Sequence, residues 1–245
     1  MLNIEEIYDK FKLNAAYTFT TIDGDYPETR IAHFLTYDQE GLYFQTMKVK
    51  PFYKQLKGTS KLAVCSLVAD FSPSVHNEDG FSIFPPGFFI KVSGDVKEIS
   101  YDTIIEKAKN NERFLPLVND IDRYPTMTTF VLYNFKGEVF DYDFEMKNRG
   151  HKVLRERFSF GNFKYIKSGF TISNKCISCG KCAKACTFKA IEKNQATNKY
   201  DIISNRCDEC GSCYIICPVN AIIAKNNMTE EERYLSAKKL SINNK

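Results

Sequence analysis

Leu2, Ile4, Ile7, Tyr8 and Phe11 alternate with Glu5, Glu6, Asp9 and Lys10 at the spacing of one helical face, so residues 2–12 predict a short amphipathic helix. The period then changes. AAYTFTTID, YPETRIAHFLTYD and LYFQTM alternate as strands do and are separated by the turn signals GD and QEG, which predicts a β-meander. PFYKQLKG predicts a helix entered through a proline, and KLAVCSLVA is apolar enough for a buried strand with Cys65 as a small core side chain. GFFIKVSGDVKEIS alternates again, DTIIEKAKNNERF returns to helical spacing, and MTTFVLYNFKGEVFDYDF predicts a closing hairpin that turns at FKGE. Antiparallel strands thus dominate residues 15–145, with the rhythm of a barrel.

From Lys147 to Lys167 the chain is charged and aromatic without clean periodicity, as expected of a connector. Beyond it an internal repeat stands out: TISNKCISCGKCAKACTFKAI at 171–191 recurs as IISNRCDECGSCYIICPVNAI at 202–222. Each copy supplies a strand, a cysteine loop and the start of a helix, and such halves pack as a pseudo-symmetric pair. Thr229 and Glu232 form a capping-box pattern that predicts a charged helix to about Leu240. The expected organisation is a barrel domain at 1–146, a connector at 147–170, a small α+β domain at 171–225, and a helical tail at 226–245.

Composition narrows the function classes. The formal charge is +4, and 43% of residues are hydrophobic, enough to fill a core. Neither part has the basic excess of a nucleic-acid binder, no stretch approaches the roughly 18 apolar residues that cross a bilayer, and the acidic start is unlike a secretion leader. A cytoplasmic protein with no membrane and no nucleic-acid partner is expected. Residues 171–245 carry 12 Lys/Arg against 7 Asp/Glu, a surplus that fits compensation of bound anionic groups.

Eight of nine cysteines fall between Cys176 and Cys217. Without a secretion signal this crowding reads as metal or redox chemistry, not disulfides. Each half reads CxxCxxCxxxC: Cys176, Cys179, Cys182, Cys186, then Cys207, Cys210, Cys213, Cys217. Three thiolates on one loop reach three irons of a cubane, whereas the fourth, displaced onto the following helix, points toward the other cluster. The expected ligand sets are therefore Cys176, Cys179, Cys182 and Cys217 for one [4Fe-4S] cluster, and Cys207, Cys210, Cys213 and Cys186 for the other. Paired zinc sites would need only two CxxC pairs, leaving the third and fourth cysteines unexplained. Gly180 and Gly211, each just after a second cysteine, permit the tight turn.

Residues 171–222 resemble the bacterial two-cluster ferredoxin, whose motif ends in Cys-Pro. Pro218 keeps that proline and Thr187 replaces it in the first half. Residues 15–145 resemble the pyridoxamine-phosphate-oxidase-like flavin-binding split barrel, on the succession TTIDGDYPETRIAHFLTYDQEGLYFQTMKVKPFYKQLKGTSKLAVCSLV followed by FFIKVSGDVKEI. That second resemblance implies FMN held between subunits of a homodimer. It places Arg30, Ile31, Ala32 and His33 on a strand beside the ring, and Gln45 and Thr46 at the end of the next strand. Lys48 and Lys50 fall in a phosphate-binding turn, and Gln55 near the ring. Hydroxyl and cationic donors within five residues suit a dianionic phosphate. Lys50, Pro51 and Phe52 stand where relatives often carry Ser-Arg-Lys. His33 could equally be a core histidine, and Arg30 could pair with Glu28 or Asp25.

Together the two resemblances imply an FMN-dependent iron-sulfur oxidoreductase. Its clusters would exchange single electrons with a redox partner protein or diffusible reductant while its flavin serves a small-molecule substrate. Anaerobic metabolism fits that pairing better than oxygen-dependent oxidation of pyridoxamine phosphate. Two alternatives use the same sequence. One is an electron carrier whose barrel only dimerises or docks, and the other a barrel filled with deazaflavin. Haem is disfavoured, because His33, His76 and His151 sit in no haem motif.

Overall fold

In the computed structural model, residues 2–14, 17–69, 75–76, 82–83, 87–120, 122–141, 154–164, 169–224 and 229 are described. The predicted tail helix, His151 and most of the apolar run 81–86 lie outside them. The chain divides into two compact units. The first is built from residues within 2–69, 87–140 and 156–164, and the second is centred on 169–224 and includes Arg155.

The first unit opens with α1 (Ile4–Lys12), closed by a reciprocal cap in which Asn3 Oδ1 accepts from the Glu6 amide and Glu6 Oε2 accepts from the Asn3 amide. Then follow β1 (Tyr17–Asp23), β2 (Tyr26–Ala32), β3 (Thr36–Asp38), β4 (Gly41–Met47), α2 (Pro51–Thr59) and β5 (Lys61–Ala69). The pair β6 (Val75–His76) and β7 (Ser82–Ile83) forms its own two-stranded sheet and groups with the second unit. After it come β8 (Gly87–Ile99), α3 (Tyr101–Asn110), a 3-10 turn (Glu112–Leu117), β9 (Met127–Asp141) and β10 (Leu154–Phe160). The sheet runs β2-β1-β5-β8-β9-β4-β3, with β10 on β9, and its β1–β2, β1–β5, β5–β8, β4–β9 and β3–β4 pairs are antiparallel. The expected antiparallel β domain is present.

β4 is buried on both faces, which explains its nearly continuous apolar sequence. Leu42 and Phe44 join the main core with Phe11, Phe19, Phe34 and Phe130, whereas Tyr43 packs on the other side with Ile104, Phe114, Leu117 and Val131. The main core is rich in aromatic rings among its aliphatic side chains. Phe44 stacks on Phe130 at 5.8 Å and meets Phe19 edge-on at 5.1 Å.

Three sequence expectations change here. The connector carries β10, because Phe158 is fully buried and the charge of its neighbour Arg157 is answered by Glu138 at 3.3 Å inside the domain. An inward-facing arginine is what hid the strand. FKGE is not a turn: β9 runs straight through it, and a Cβ on Gly137 would sit 2.4 Å from the Phe158 ring, so this glycine admits β10 rather than reversing the chain. Cys65 is exposed, not core, because β5 alternates and turns Leu62, Val64 and Ser66 inward.

The second unit contains β11 (Phe170–Ile172), a short helix Lys181–Ala185, β12 (Ile191–Lys193), β13 (Tyr200–Ile202), a second short helix Ser212–Ile216 and β14 (Ile222–Ala224). Thr171 pairs with Ile223, and Glu192 with Asp201. Moving Thr171 forward and Ile223 back by the repeat offset reaches Ile202 and Glu192, one residue out of the second register, so each half lends a strand to its twin in nearly equivalent pairings. The expected small α+β domain is present. Its compact core is Cys182, Ile191, Cys213, Tyr214 and Ile222, with two cysteines among five residues.

Candidate functional site

The two cysteine loops repeat their backbone as well as their sequence. Gly180 and Gly211 take φ of 74° and 83° and cap the short helices, and the residues two places earlier, Ser178 and Glu209, are also left-handed at 57° and 60°. Left-handed backbone just after each first CxxC cysteine folds the loop around a hollow. Around these hollows the cysteines sort by space, not by sequence order. Cys176, Cys179 and Cys182 line one cavity together with Cys217. Cys207, Cys210 and Cys213 line the other together with Cys186. Each cavity encloses about 320 Å³ of space, part of it open to solvent. Among the described residues no three His, Cys, Asp or Glu side chains are grouped closely enough to hold a single metal ion.

Backbone amides are already aimed at the sulfurs. The Ala190 and Ala221 amides donate to Cys186 Sγ and Cys217 Sγ, both at 3.2 Å, and the Ser178 amide donates to Cys176 Sγ at 3.4 Å. Such donors stabilise thiolate charge. Burial, then the neighbouring thiols Cys207, Cys210 and Cys186, push Cys213 up to about 12; burial likewise raises Cys182, with Cys176 and Cys179 adding to it.

The cavities differ in lining. The first is apolar beyond its cysteines, with Ile172, Ile177, Tyr200, Pro218, Val219 and Ile222. The second includes Asp208, Glu209 and Ser212 beside Phe170, Phe188 and Ile202. Asp208 is paired with Arg155 at 3.1 Å, and Ser212 Oγ lies 3.5 Å from Cys210 Sγ.

Residues 175–221 match the 4Fe-4S dicluster domain. That segment contains all eight cysteines of the two motifs. For the dicluster domain, then, the motif, the crossed partition and the amide donors agree.

The residues assigned to a flavin are distributed less simply. Arg30 and Gln55 do come together. Arg30 donates from Nη1 to Thr21 Oγ1 at 2.6 Å and from Nη2 to Gln55 Oε1 at 2.8 Å, with its guanidinium 4.3 Å above the Phe52 ring. Burial lowers its pKa, against the pull of Glu28 and Asp23. Gln55 is buried and donates in turn to Asp23 at 3.0 Å. Ile31 and His33 are exposed, Ala32 is half-buried, and the His33 ring meets Tyr17 edge-on at 5.7 Å. His33 is therefore not a core histidine. Gln45 donates to the Leu117 carbonyl and to Thr129 Oγ1, and Thr46 is buried. Lys50 is exposed at the N-cap of α2.

Lys48 lines a polar cavity of about 800 Å³ with Lys57, Glu98, Ser100, Tyr101 and Asn119, floored by Met127, Thr128 and Thr129. Glu98 is its hub, accepting from Thr128 at 2.7 Å, Lys57 at 3.1 Å and Tyr53 at 3.2 Å, with Lys48 at 3.6 Å. Burial would raise the Glu98 carboxyl, but the bonds from Thr128 and Lys57 and the two ammonium charges outweigh it and hold the group below the usual carboxylate range. Lys57, Glu98 and Thr128 belong to no sequence motif; only the fold brings them to Lys48.

The chain is also similar to solved structures across its first part. A NimC/NimA family protein from Clostridium acetobutylicum is 16% identical over 64% of this chain and 92% of its own, with a TM-score of 0.45. PhzG from Burkholderia lata 383, solved with tetrahydrophenazine-1-carboxylic acid, is 12% identical over 64% and 82%, with a TM-score of 0.42. A protein of the pyridoxinephosphate oxidase family from C. acetobutylicum, related to general stress protein 26, is 13% identical over 64% and 96%, with a TM-score of 0.38. No curated protein sequence matches the chain. No helix among the described residues is long and apolar enough to cross a membrane.

Proposed function

We propose that this protein is an electron-transfer oxidoreductase that holds two [4Fe-4S] clusters in its second unit and FMN in its first. The observation that carries the reading is the partition of eight cysteines into two cavities, three from one motif and one from the other in each. The clusters supply one-electron exchange, and FMN converts between one- and two-electron chemistry with a small-molecule substrate. Cys176, Cys179, Cys182 and Cys217 are the ligands of one site, and Cys186, Cys207, Cys210 and Cys213 those of the other. The Ala190, Ala221 and Ser178 amides hold sulfur charge in place, and Gly180 and Gly211 allow the loops to close around it.

For the flavin, Lys48 and Lys57 with Thr128 and Thr129 provide cationic and hydroxyl donors around one cavity, the donor set a phosphate monoester takes. Glu98 is the group such an anion has to displace. Arg30 and Gln55 position each other over Phe52. The edge strand β2 leaves Tyr26 and Ile31 exposed at 75% and 64%, one on each face, apolar surface that supports the homodimer in which FMN lies between subunits.

A second reading, an electron carrier whose first unit binds no flavin, is favoured by the same internal bonds, since Arg30, Gln55 and Lys48 already have protein partners. Iron, acid-labile sulfide and released flavin per chain, measured on protein purified without oxygen, decide between them. About eight irons, eight sulfides and one FMN are expected. Metal without flavin, even after FMN is offered, selects the carrier, and a chain that binds neither iron nor sulfide refutes both.

A further inference from the structure

The two halves of the dicluster domain share a backbone but not a charge. From 175 to 189 the first half carries Lys175, Lys181, Lys184 and Lys189 and no acid, whereas the matching stretch 206–220 carries Arg206, Asp208 and Glu209. Position by position, three of the four lysines are lost: Lys181 becomes Ser212, Lys184 becomes Ile215 and Lys189 becomes Asn220.

Compensation of cluster charge does not account for this. Each site with its four thiolates would carry about two negative charges, the same in both halves. A compensating role calls for lysines in both, and only one half has them. Their placement differs too. All four lysines are exposed, and among the described residues none is in an ion pair. In the other half Arg206 pairs with Glu192 at 2.7 Å, Asp208 with Arg155, and Glu209 accepts from the Gly169 amide at 2.5 Å. The first half presents its charge outward, while the second spends its charge on internal bonds.

Ile177 follows Lys175 by two residues, is 61% exposed and lines the cavity of Cys176, Cys179, Cys182 and Cys217; its counterpart in the other half is Asp208. An exposed isoleucine at the wall of that cavity, in a stretch whose charged residues are all basic, offers the apolar centre and charged rim of a small docking face.

We propose that the Lys175, Lys181, Lys184, Lys189 and Ile177 face is the docking surface for an acidic one-electron carrier protein, and that electrons enter or leave this chain through the cluster site behind it. The step is bare electron transfer: the carrier loses one electron and the site gains it, or the reverse, with no bond made and no proton moved. The proposal rests on the reading that both cluster sites are filled.

The test uses the full chain with its iron and sulfide content measured, and chemically reduced flavodoxin as the acidic carrier, mixed in a stopped-flow instrument. The second-order rate constant is expected to fall about tenfold or more as ionic strength is raised through and beyond physiological values. At low salt Lys181→Glu with Lys184→Glu is expected to lower it about tenfold. Lys12→Glu with Lys109→Glu, the same change in net charge made on the first unit, is expected to leave it unchanged. A rate that ignores salt, or an equal loss in both double variants, overturns the proposal. So does binding to vesicles of anionic phospholipid in preference to the carrier. If the glutamate pair loses iron, Lys181→Gln with Lys184→Gln makes the same test with a smaller loss. Wild-type protein without iron refutes the cluster reading itself, so the two failures are told apart.

Discussion

The two units solve the problem of cohesion in opposite ways. The first buries a continuous aromatic and aliphatic core, from Phe11 and Phe19 through Phe44 and Phe130 to Phe158, and owes its stability to area removed from water. The second has a core cluster of five buried residues, two of them cysteines that each line a cavity. A domain of that size with so little apolar mass needs a staple, and its two sets of four thiols are where one fits. The difference teaches where each unit is vulnerable: one to cavities, the other to the loss of a bound group.

The largest expected effect breaks the second unit alone. Removing iron by a chelator under reducing, oxygen-free conditions should unfold residues 169–224, because ligand binding and folding free energy are the same quantity in such domains. Hydrogen exchange is the direct readout, with protection lost across β11–β14 and kept across β1, β4, β5, β8 and β9. Protection retained at β12 and β13 in the iron-free protein would refute the division. Cys213→Ser should lower iron content and protection in the same region, since it removes a ligand and a core side chain together.

The converse perturbation acts on the first unit. Phe44→Ala removes a side chain with no exposure from a stack with Phe130 and should cost about 3–5 kcal/mol in denaturant unfolding of that unit. Iron and sulfide per chain should not change. A parallel loss of metal would mean that the two units share one cooperative core.

The same contrast governs how much could be read from the sequence. The dicluster domain and the grouping of its cysteines around two cavities were legible, because a cluster demands a fixed residue type at a fixed spacing. Strands with one wet face and one dry face, such as β1, were legible by alternation. β10 was not, because its inward Arg157 is neutralised by Glu138, a partner on another strand that no local pattern announces. Gly137 resembled a turn because sequence cannot distinguish a glycine that bends a chain from one that makes room for a ring. Cys65 lies in a run whose outward face also carries Ala63 and Leu67 while the polar Ser66 faces inward, so polarity did not mark the exposed side. Of the residues expected around a flavin, Arg30 and Gln55 meet in the fold, while Lys48 lines a cavity with Lys57, Glu98 and Thr128. Those three come from α2, β8 and β9, and no local pattern announces their meeting.

The smallest expected effect sharpens the comparison through Glu98. Its carboxyl is held below the usual carboxylate range in the folded protein, so the unfolded chain binds the proton first as pH falls. The stability it contributes is complete above the ordinary carboxylate value near 4.3 and is lost as pH drops through the lower, folded one. Its lysine partners are half-exposed, which limits the contribution to about 1 kcal/mol or less. Glu98→Gln should therefore flatten the acid limb of the first unit's unfolding curve without moving that of the second unit. The same variant frees Lys48 and Lys57 from their internal carboxylate. If their cavity is where a phosphate monoester seats, FMN should bind Glu98→Gln more tightly than wild type, read by quenching of flavin fluorescence. Unchanged or weaker binding would assign those lysines to the support of Glu98 and remove them from the flavin site.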